Sequence, residues 1–297
     1  MARLRLPMPT LKEILSRALR EHWATGHFNV SELDHMRAII EVAAELGAPA
    51  IIGLSEGERK HMGLLEAVAL RDAFRSELEI PIFLNADHTK GVNAAKKAMD
   101  AGFDSIHIDL SAMPFEENIA GTKEIVVYAH AKNLDISVEG ELGYLKGESK
   151  VQKEKIAVSA EDYTKPEEAL RFVQETGVNR LAIVVGNIHG ISLDEPALDI
   201  ERIAAIRALI PEHVVLVLHA GSGIPADQIR AAIVAGIANI HINTDIRVAF
   251  VNELRHAMSA SPDEVAMYKL DASAMEAMKK VVREKLLLFG SIKKYNL

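Results

Sequence analysis

Three histidines stand at the ends of separate apolar runs in the sequence. His88 follows a run that begins at Ile80, and His189 and His219 follow two later β-branched runs. Three neutral imidazoles that leave a fourth position open form a common catalytic zinc shell. Any one of them alone would be interpreted as a core or surface residue, but their corresponding positions on separate runs indicate a metal site.

A carboxylate and a glycine-containing turn accompany these histidines. Asp87 immediately precedes His88, and a carboxylate there can move a proton to or from a substrate hydroxyl. Gly221-Ser222-Gly223 lies between an apolar run and a helix that Pro225 begins, and backbone N–H groups in such a turn can bind phosphate. A divalent ion, a phosphate site and a carboxylate together favour carbonyl chemistry, in which the ion stabilises an enediolate.

A carbon–carbon bond next to a carbonyl can also be formed or broken through a Schiff base, which requires a lysine held inside the protein. None of the eight segments that we interpret as strands contains a lysine. The sequence therefore favours the metal mechanism. A metal-assisted hydrolase, in which the three histidines hold a water molecule, is an alternative with a different product.

Eight short β-branched runs alternate with helical patterns and would position these groups. The predicted strands are 26–30, 49–55, 81–87, 105–110, 135–142, 180–186, 214–220 and 237–244. Strands that are apolar on both faces predict a parallel sheet covered by helices, and eight of them close into a (β/α)₈ TIM barrel of the α/β class. An open doubly wound sheet would normally carry a glycine-rich phosphate motif after its first strand, and this sequence has none.

The chain is predicted to be a single domain over residues 1–297, with a helical C-terminal extension after Ser261. No linker or change of composition marks a second domain. One polar segment, from Tyr144 to Tyr163, interrupts the pattern after strand five. Loops of this length in compact domains are usually functional or disordered, and we favour a mobile lid over an inert insertion.

Polar residues recur where the predicted strands end, and in a barrel such side chains meet at the active site. These residues are Asn29, Ser55, Asp87, His88, Asp109, Glu139, Glu141, residues 187–189, His219 and residues 243–245. Consecutive strand residues point to opposite faces, but a chain that turns after Asp87 can bring both Asp87 and His88 to one pocket. His107 and His241 are candidate supporting partners of the metal ligands.

The composition argues against two kinds of partner. The chain has a net charge of −8 and its basic residues form no cluster, so we expect no nucleic-acid partner. No run approaches the roughly 20 apolar residues of a transmembrane helix, and the first residues resemble the start of an amphipathic helix rather than a signal peptide. The absence of cysteine excludes disulfides and thiolate ligands. We expect a cytoplasmic protein with no membrane partner.

Taken in order, the motifs at these strand ends resemble those of the class II, metal-dependent fructose-bisphosphate aldolase family, which includes the tagatose-bisphosphate aldolases. The matching segments are HFNV, NADHTKG, SIHIDLS, VEGELG, VVGNIHG, LHAGSG and NTDIRVAF. The resemblance covers nearly the whole chain and implies the family's barrel fold.

The resemblance implies a role for each matching residue. The implied ligands of a catalytic Zn²⁺ are His88, His189 and His219, with Glu141 as a further or alternate ligand and Asp109 as an auxiliary one. Asp87 would handle the proton of the C4 hydroxyl. The implied contacts of substrate, its phosphate and a monovalent cation (Na⁺ or K⁺) are Gly190, Gly221, Ser222, Asn243 and Thr244, and we add Asn29, Ser55 and Asp245.

Two segments depart from the family pattern. In KGESK, Ser149 stands where the family has the acid that abstracts the donor proton, and Glu148 is next to it. Either Glu148 serves as that catalytic group, or another residue does, or proton abstraction is impaired. In the strand-eight motif His241 occupies the first position and Asn243 the third, which bears on substrate preference. Ser31 also stands where an asparagine is common.

The implied reaction is the reversible cleavage of a ketose 1,6-bisphosphate to dihydroxyacetone phosphate and glyceraldehyde 3-phosphate. Fructose 1,6-bisphosphate is the expected substrate, followed by tagatose 1,6-bisphosphate or another ketose phosphate. Because Ser149 replaces the family's acid, a non-catalytic homologue that binds metal and phosphate is the alternative from another class. The apolar face of the C-terminal helix predicts a homodimer or homotetramer.

Overall fold

A closed barrel of eight parallel strands forms the centre of the fold, seen in a computed structural model that describes residues 8–132, 135–143, 145–152, 159–191 and 197–295. The barrel strands are β1 (Thr25–Asn29), β2 (Ala50–Leu54), β3 (Ile82–Thr89), β4 (Ser105–Ile108), β5 (Ser137–Leu142), β7 (Arg180–Ile183), β9 (Val215–Leu218) and β10 (Ile237–Ile242). Each strand pairs with the next in this order, and β10 pairs with β1. The predicted barrel and its eight strands are confirmed.

Helices surround this barrel. They are α1 (Leu11–Arg20), α2 (Leu33–Leu46), α3 (Glu56–Met62), α4 (Leu64–Leu78), α5 (Val92–Ala101), α6 (Phe115–Ala131), α7 (Pro166–Thr176), α8 (Ile200–Leu209), α9 (Ala226–Ala235), α10 (Thr244–Ala260) and α11 (Met267–Leu288). Within the described residues, no helix has the length and apolar character that would span a membrane.

The two faces of the barrel strands have different chemistry, because successive side chains alternate between the interior and the helices. Ile52 of β2 and Ile106 of β4 belong to one large apolar core together with helix residues such as Ile39. The interior-facing set is polar over much of the barrel. It includes His27, Asn85, His107, Glu139, Arg180 and Asn239, all fully buried.

Helix α1 closes the amino-terminal end of the barrel. Thr10 and Glu13 form a capping box that begins the helix, and its apolar residues recur at the spacing of one helical face. Leu11, Ile14 and Leu15 join an apolar cluster with Ile51 and Phe83 from the starts of barrel strands. Helix α1 therefore covers this end of the barrel with apolar side chains.

The segment predicted as a lid contains a strand and a short helical turn. Strand β6 (Gly147–Val151) pairs in parallel with β8 (His189–Ile191), and a 3₁₀ turn follows at Ala160–Asp162. The pairing forms because the chain after β7 offers free backbone groups: His189 N–H donates to Lys146 C=O over 2.9 Å, and Gln152 N–H donates to Ile191 C=O over 2.9 Å. Part of this segment is therefore ordered against the backbone of His189.

The helical C-terminal extension consists of α11, which packs on α10 and α2. Its end is tied to the barrel, since Ala24 N–H at the start of β1 donates to Phe289 C=O over 2.9 Å. Tyr295 N–H also donates to Gly47 C=O over 2.9 Å, just after α2. The extension thus fastens α10, and with it the mouth of the barrel, to the neighbouring α2.

Candidate active site at the mouth of the barrel

A cavity with an empty volume of about 320 Å³ opens at the carboxyl ends of the barrel strands. Its lining residues are Asn29, Asp87, His88, His189, Gly190, His219, Ala220, Ser222, His241, Asn243 and Thr244. All except Ala220 and His241 belong to the predicted site.

The three predicted metal-binding histidines meet at this cavity. The ring centroid of His88 lies 5.0 Å from that of His189 and 4.8 Å from that of His219. His88 belongs to β3, His189 begins β8 and His219 directly follows β9. Burial, followed by the charge of His88, lowers the pKa of His189 to about 3, so this ring stays neutral and able to ligate a metal.

His88 reaches the cavity because its backbone turns. Its φ of 41° lies in the left-handed region, which a residue other than glycine adopts only where its surroundings require it. The backbone N–H of His88 donates to His107 Nδ1 over 3.1 Å, and its ring Nδ1 lies 2.9 Å from Asp109 Oδ2. This turn brings both Asp87 and His88 to one pocket, as predicted.

His219 is supported from below by a buried ion pair. Its Nε2 lies 2.7 Å from Glu139 Oε1, while Arg180 Nη1 lies 2.6 Å from Glu139 Oε2. Burial lowers the pKa of His219 well below its usual value, and the nearby His107 and His88 lower it further. A carboxylate thus holds one nitrogen of each of His88 and His219, which leaves the opposite nitrogen for a ligand.

Asp87 lies beside the histidines with one oxygen occupied and one open. Asn29 Nδ2 donates to Asp87 Oδ2 over 3.0 Å and to Glu58 Oε2 over 3.0 Å. Asp87 Oδ1 is buried and has no hydrogen-bond partner among the described residues. Burial would raise the pKa of Asp87, but His88 and His27 hold it well below its usual value. The side chain is therefore an oriented carboxylate with an open acceptor.

The predicted phosphate loop is fastened to the start of α10. Ser222 Oγ accepts hydrogen bonds from the N–H groups of Asn243 and Asp245 over 3.3 and 3.2 Å. Gly221 N–H donates to His241 C=O over 2.9 Å. A Cβ at Gly221 would lie 2.7 Å from Ile240 Cγ2, so only glycine allows this close approach. The loop and a helix N-terminus therefore meet at the cavity, an arrangement that favours anions.

Asp109, Glu141 and Gly221 of the predicted set contact residues of the site but do not line the cavity themselves. Three other predicted residues, Ser55, Asp245 and Glu148, are described separately. Ser55 caps α3 in a capping box with Glu58, and the carboxylate of Asp245 pairs with Lys285 of α11. Neither is among the residues that line the cavity. Glu148 lies on β6, but its side chain is outside the described part of the structure, so its catalytic role stays a prediction.

Comparison with known proteins assigns the chain to a family. The family model described as fructose-bisphosphate aldolase class-II matches residues 9–294. The chain belongs to the class II fructose-bisphosphate aldolase family. A fructose-bisphosphate aldolase of Geobacillus stearothermophilus is 36% identical over 291 residues, which are 96% of this chain and 98% of that protein. As a member of this family the chain is an aldolase, a carbon–carbon lyase.

Two solved structures of aldolases share the fold of this chain. The YdjI aldolase of Escherichia coli K12 superposes with a TM-score of 0.82 at 30% identity and covers 97% of this chain and 100% of its own. The fructose-bisphosphate aldolase of Campylobacter jejuni gives a TM-score of 0.77 at 22% identity, over 96% of this chain and 95% of its own, and supports the fold alone.

Aldolases of this family depend on a metal, and the residues at the mouth fit a divalent ion. Ligand atoms of His88, Asp109 and Glu141 lie within 4.8 Å of one another. Buried Glu141 Oε2 has no hydrogen-bond partner among the described residues, and an ion would satisfy it. His219 belongs to a second group of this kind with Asp87, His88 and His107, whereas His189 belongs to none of those found in the described chain. The mouth of the barrel therefore contains candidate ligands for the metal on which this family depends.

Sequence reasoning missed the polar layer beneath the aldolase mouth. Arg180, His27, Asn85 and Glu58 were not predicted to act, yet all four contact residues that support the cavity. The available signal was period-two alternation: stepping back two residues from a polar strand end gives a second polar residue on the same face. Asn29 leads in this way to His27, and Asp87 leads to Asn85.

Proposed function

We propose that this aldolase reversibly cleaves a ketose 1,6-bisphosphate to dihydroxyacetone phosphate and glyceraldehyde 3-phosphate, with fructose 1,6-bisphosphate as the first candidate substrate. The observation that carries the proposal is the meeting of His88, His189 and His219 beside the open carboxylate of Asp87. These groups are an electrophile site and a base in one cavity, which is what carbon–carbon cleavage next to a carbonyl requires.

The proposed metal is Zn²⁺, held by His88, His189 and His219, and Glu141 is a further ligand. A divalent ion bound at these residues would polarise the substrate carbonyl as a Lewis acid. Asp109 is better suited to orient His88 than to bind the ion itself, since its Oδ2 lies 2.9 Å from His88 Nδ1 and its Oδ1 accepts from the Ser111 hydroxyl over 2.7 Å.

Asp87 takes the proton of the C4 hydroxyl during cleavage. As that proton leaves, the C4 oxygen becomes an aldehyde, the C3–C4 bond breaks, and its electron pair moves toward the C2 carbonyl. Asn29 holds the other oxygen of Asp87 through a 3.0 Å hydrogen bond, so the carboxylate keeps a fixed orientation beside the cavity that it lines. A proton must then return to C3 of the donor half, and Glu148 is the predicted source.

Five residues at the mouth are the proposed binding site of a substrate phosphate. Gly190, Gly221, Ser222, Asn243 and Thr244 would surround one phosphate, with Na⁺ or K⁺ beside it. The buried hydroxyl of Ser222 and the first turn of α10 favour this position for an anion.

Homodimer or homotetramer formation stays a prediction, and size-exclusion chromatography with light scattering measures it.

The decisive experiment is a coupled assay for triose phosphate release on zinc-loaded enzyme, with fructose and tagatose 1,6-bisphosphates as substrates. We expect cleavage of at least one of them, its loss on chelation, and its return on adding Zn²⁺. Borohydride with substrate should trap no covalent adduct. Activity that survives chelation would contradict the metal mechanism, release of inorganic phosphate would indicate a hydrolase, and bound substrate without turnover would indicate a binding protein.

A further inference from the structure

The ring of His241 lines the cavity, and both of its nitrogens are buried without a hydrogen-bond partner among the described residues. Its side chain is buried, with 4% of the residue exposed, and it lines the mouth between Asp87 and His219. Nδ1 lies 3.4 Å from Asp87 Oδ1, but neither ring nitrogen has a hydrogen-bond partner among the described residues. A buried polar group in this state indicates a missing partner.

The ring of His241 is held in place by a second imidazole. Strands β1 and β10 pair with His27 opposite His241, and the two rings stack with centroids 3.5 Å apart and planes 8° apart. Asn85 Nδ2 lies 3.1 Å from His27 Nε2 and fixes the lower ring. His241 is therefore a preorganised side chain and not a mobile one.

Gly53 makes room for this stack. A Cβ at this position would lie 2.0 Å from His27 Cε1 and 2.3 Å from His27 Nε2. The ring of His27 thus packs directly on the backbone of β2, and a side chain at position 53 would push it toward His241. Three neighbouring strands, β10, β1 and β2, cooperate to present one imidazole to the cavity.

The pair is poorly suited to a second metal ion. Ligand atoms of His27, Asp87 and His241 lie within 4.8 Å of one another. However, an ion must lie close to the plane of each imidazole that binds it, because the nitrogen lone pair lies in that plane. Two parallel rings 3.5 Å apart cannot both meet this condition for one ion.

The partner of His241 is also not an anion. Asp87 Oδ1 lies 3.4 Å from Nδ1, and Glu139 Oε2 lies 4.0 Å from Nε2. A phosphate or carboxylate in the same place would be repelled by both carboxylates. A neutral hydroxyl avoids this repulsion, and it can donate to the open Oδ1 of Asp87 while it accepts from an imidazole N–H.

We infer that His241 is a specificity-determining residue that binds the C4 hydroxyl of the ketose bisphosphate together with Asp87, and so distinguishes the two configurations at this carbon. His27 is a positioning residue that acts through the stack. The inference rests on the proposed function, in which Asp87 takes the proton of that hydroxyl. Fructose and tagatose 1,6-bisphosphates differ only in the configuration at C4, so they are the matched probes.

The test is the ratio of kcat/KM for these two epimers in wild type, His241→Asn and His241→Phe. The ratio comes from one preparation, so it does not depend on the fraction of folded enzyme. We expect it to shift by about tenfold or more in both variants, since a site loses discrimination when a polar partner is removed. His256→Asn, an exposed histidine of α10, is the matched control and should keep the wild-type ratio. A ratio within twofold of wild type in both His241 variants would overturn the inference.

Gly53→Ala tests the role of His27 without touching the cavity lining. We expect the ratio to shift in the same direction as in His241→Asn, because the displaced His27 ring moves its stacked neighbour. A merely structural role for His27 would lower kcat/KM equally for both epimers and leave the ratio unchanged, which would overturn the positioning role.

Failure of the proposed function is distinguishable from failure of this inference. If wild type releases triose phosphate from neither epimer, the proposed function fails. Calorimetry with the reduced, non-cleavable hexitol 1,6-bisphosphates of the two C4 configurations then decides the role of His241. A wild-type preference between them that His241→Asn removes supports the inference, and equal affinities in wild type overturn it.

Discussion

Glu139 and Glu141 lie two residues apart on β5, on the same face and almost equally buried, yet their surroundings are opposite. Glu139 belongs to an inner layer, where Arg180 Nη1 lies 2.6 Å and His219 Nε2 2.7 Å from its carboxylate. Glu141 belongs to the mouth layer. Its Oε1 accepts from the Ser111 hydroxyl over 3.3 Å, and its Oε2 lies 3.0 Å from His107 Nε2 without a hydrogen bond.

The difference teaches that burial alone does not make a functional carboxylate. Burial would raise the pKa of Glu139, but Arg180 and next His107 lower it, so the inner carboxylate is matched by a fixed cation. The mouth carboxylate faces imidazoles and the Ser111 hydroxyl. Burial would lower the pKa of His107, but Glu139, Asp87 and Glu141 raise it well above its usual value, so the partner of Glu141 is an imidazole that can lose its proton and not a fixed cation. Carboxylates and imidazoles are also metal ligands, and we interpret this group at Glu141 as the sign of a metal site.

The largest expected effect is on stability, from breaking the inner layer. Arg180→Met removes the cation and leaves Glu139 buried without its partner. Loss of one member of a buried ion pair costs about 3–5 kcal/mol. We expect the metal-free protein to lose that much free energy of unfolding, measured by chemical denaturation.

The double variant Arg180→Met with Glu139→Gln separates charge from packing. It removes the unpaired anion, so it should recover part of the lost stability even though two polar side chains are gone. If Arg180→Met alone stays within about 1 kcal/mol of wild type, the inner layer does not depend on this ion pair and the comparison fails.

A substitution in the mouth layer should lower the affinity for Zn²⁺ and have little effect on stability. Glu141→Gln keeps the shape of the side chain but removes its charge, so we expect Zn²⁺ affinity to fall by about 10–100-fold. The free energy of unfolding of the metal-free protein should change by less than about 1 kcal/mol, because the adjacent His107 can release its proton and does not have to remain a buried, unpaired cation. Competition with a chromogenic chelator measures the affinity, and denaturation measures the stability.

Glu117→Gln is a suitable control, since this exposed residue lies on α6 away from the cavity. It should leave Zn²⁺ affinity unchanged. A Glu141→Gln variant that loses stability as Arg180→Met does, while Zn²⁺ affinity stays at the wild-type value, would place Glu141 with the structural layer.

The sequence predicted the barrel because its signal is local and repeated. Each barrel strand is a short β-branched run, and the glycines that follow several helices mark their ends, so the eight barrel strands could be located within a few residues. The β6–β8 pair could not be predicted. This pair forms between backbone groups near Lys146 and His189, which are far apart in the chain. In addition, the segment KGESK has no alternation of apolar and polar residues that would indicate a strand.

Site residues could be predicted from the sequence only where the residue type and its position at a strand end together indicate a role. His88, His189 and His219 stand at strand ends, and their position was sufficient to group them. Arg180 begins a strand that otherwise resembles an ordinary apolar strand. Its role as the cation of a buried ion pair is recognised only from the structure, which places Glu139 opposite it on the neighbouring strand. Ser55 and Asp245 were predicted from the same position, at the ends of strands, but Ser55 caps α3 and Asp245 pairs with Lys285.

Ser222 tests whether a mouth residue can serve both binding and stability. Its hydroxyl accepts from two backbone N–H groups at the start of α10, as a capping side chain does. Ser222→Ala should therefore cost about 0.5–2 kcal/mol of unfolding free energy, and it should raise KM for the bisphosphate. Denaturation and steady-state kinetics measure the two effects.

Ser259→Ala, at an exposed serine that bonds within α10, serves as the control and should change neither quantity beyond error. If Ser222→Ala changes stability and leaves KM at the wild-type value, Ser222 is a capping residue alone. In that case the anion site belongs to the helix N-terminus without the loop hydroxyl.

The smallest effect is expected at Asp245, which the motif suggests as a substrate contact and the geometry assigns to the scaffold. Its carboxylate pairs with Lys285 on α11, and a carboxylate turned toward the phosphate would repel it. Asp245→Asn should lower the free energy of unfolding by about 1 kcal/mol or less, because the pair is only partly buried and an amide can still accept a hydrogen bond from the ammonium. KM for the bisphosphate should stay within about twofold of wild type, since the carboxylate is paired with Lys285 and Asp245 does not line the cavity. An increase in KM as large as that of Ser222→Ala would instead place Asp245 among the substrate contacts, and the mouth layer would then extend one residue further into α10.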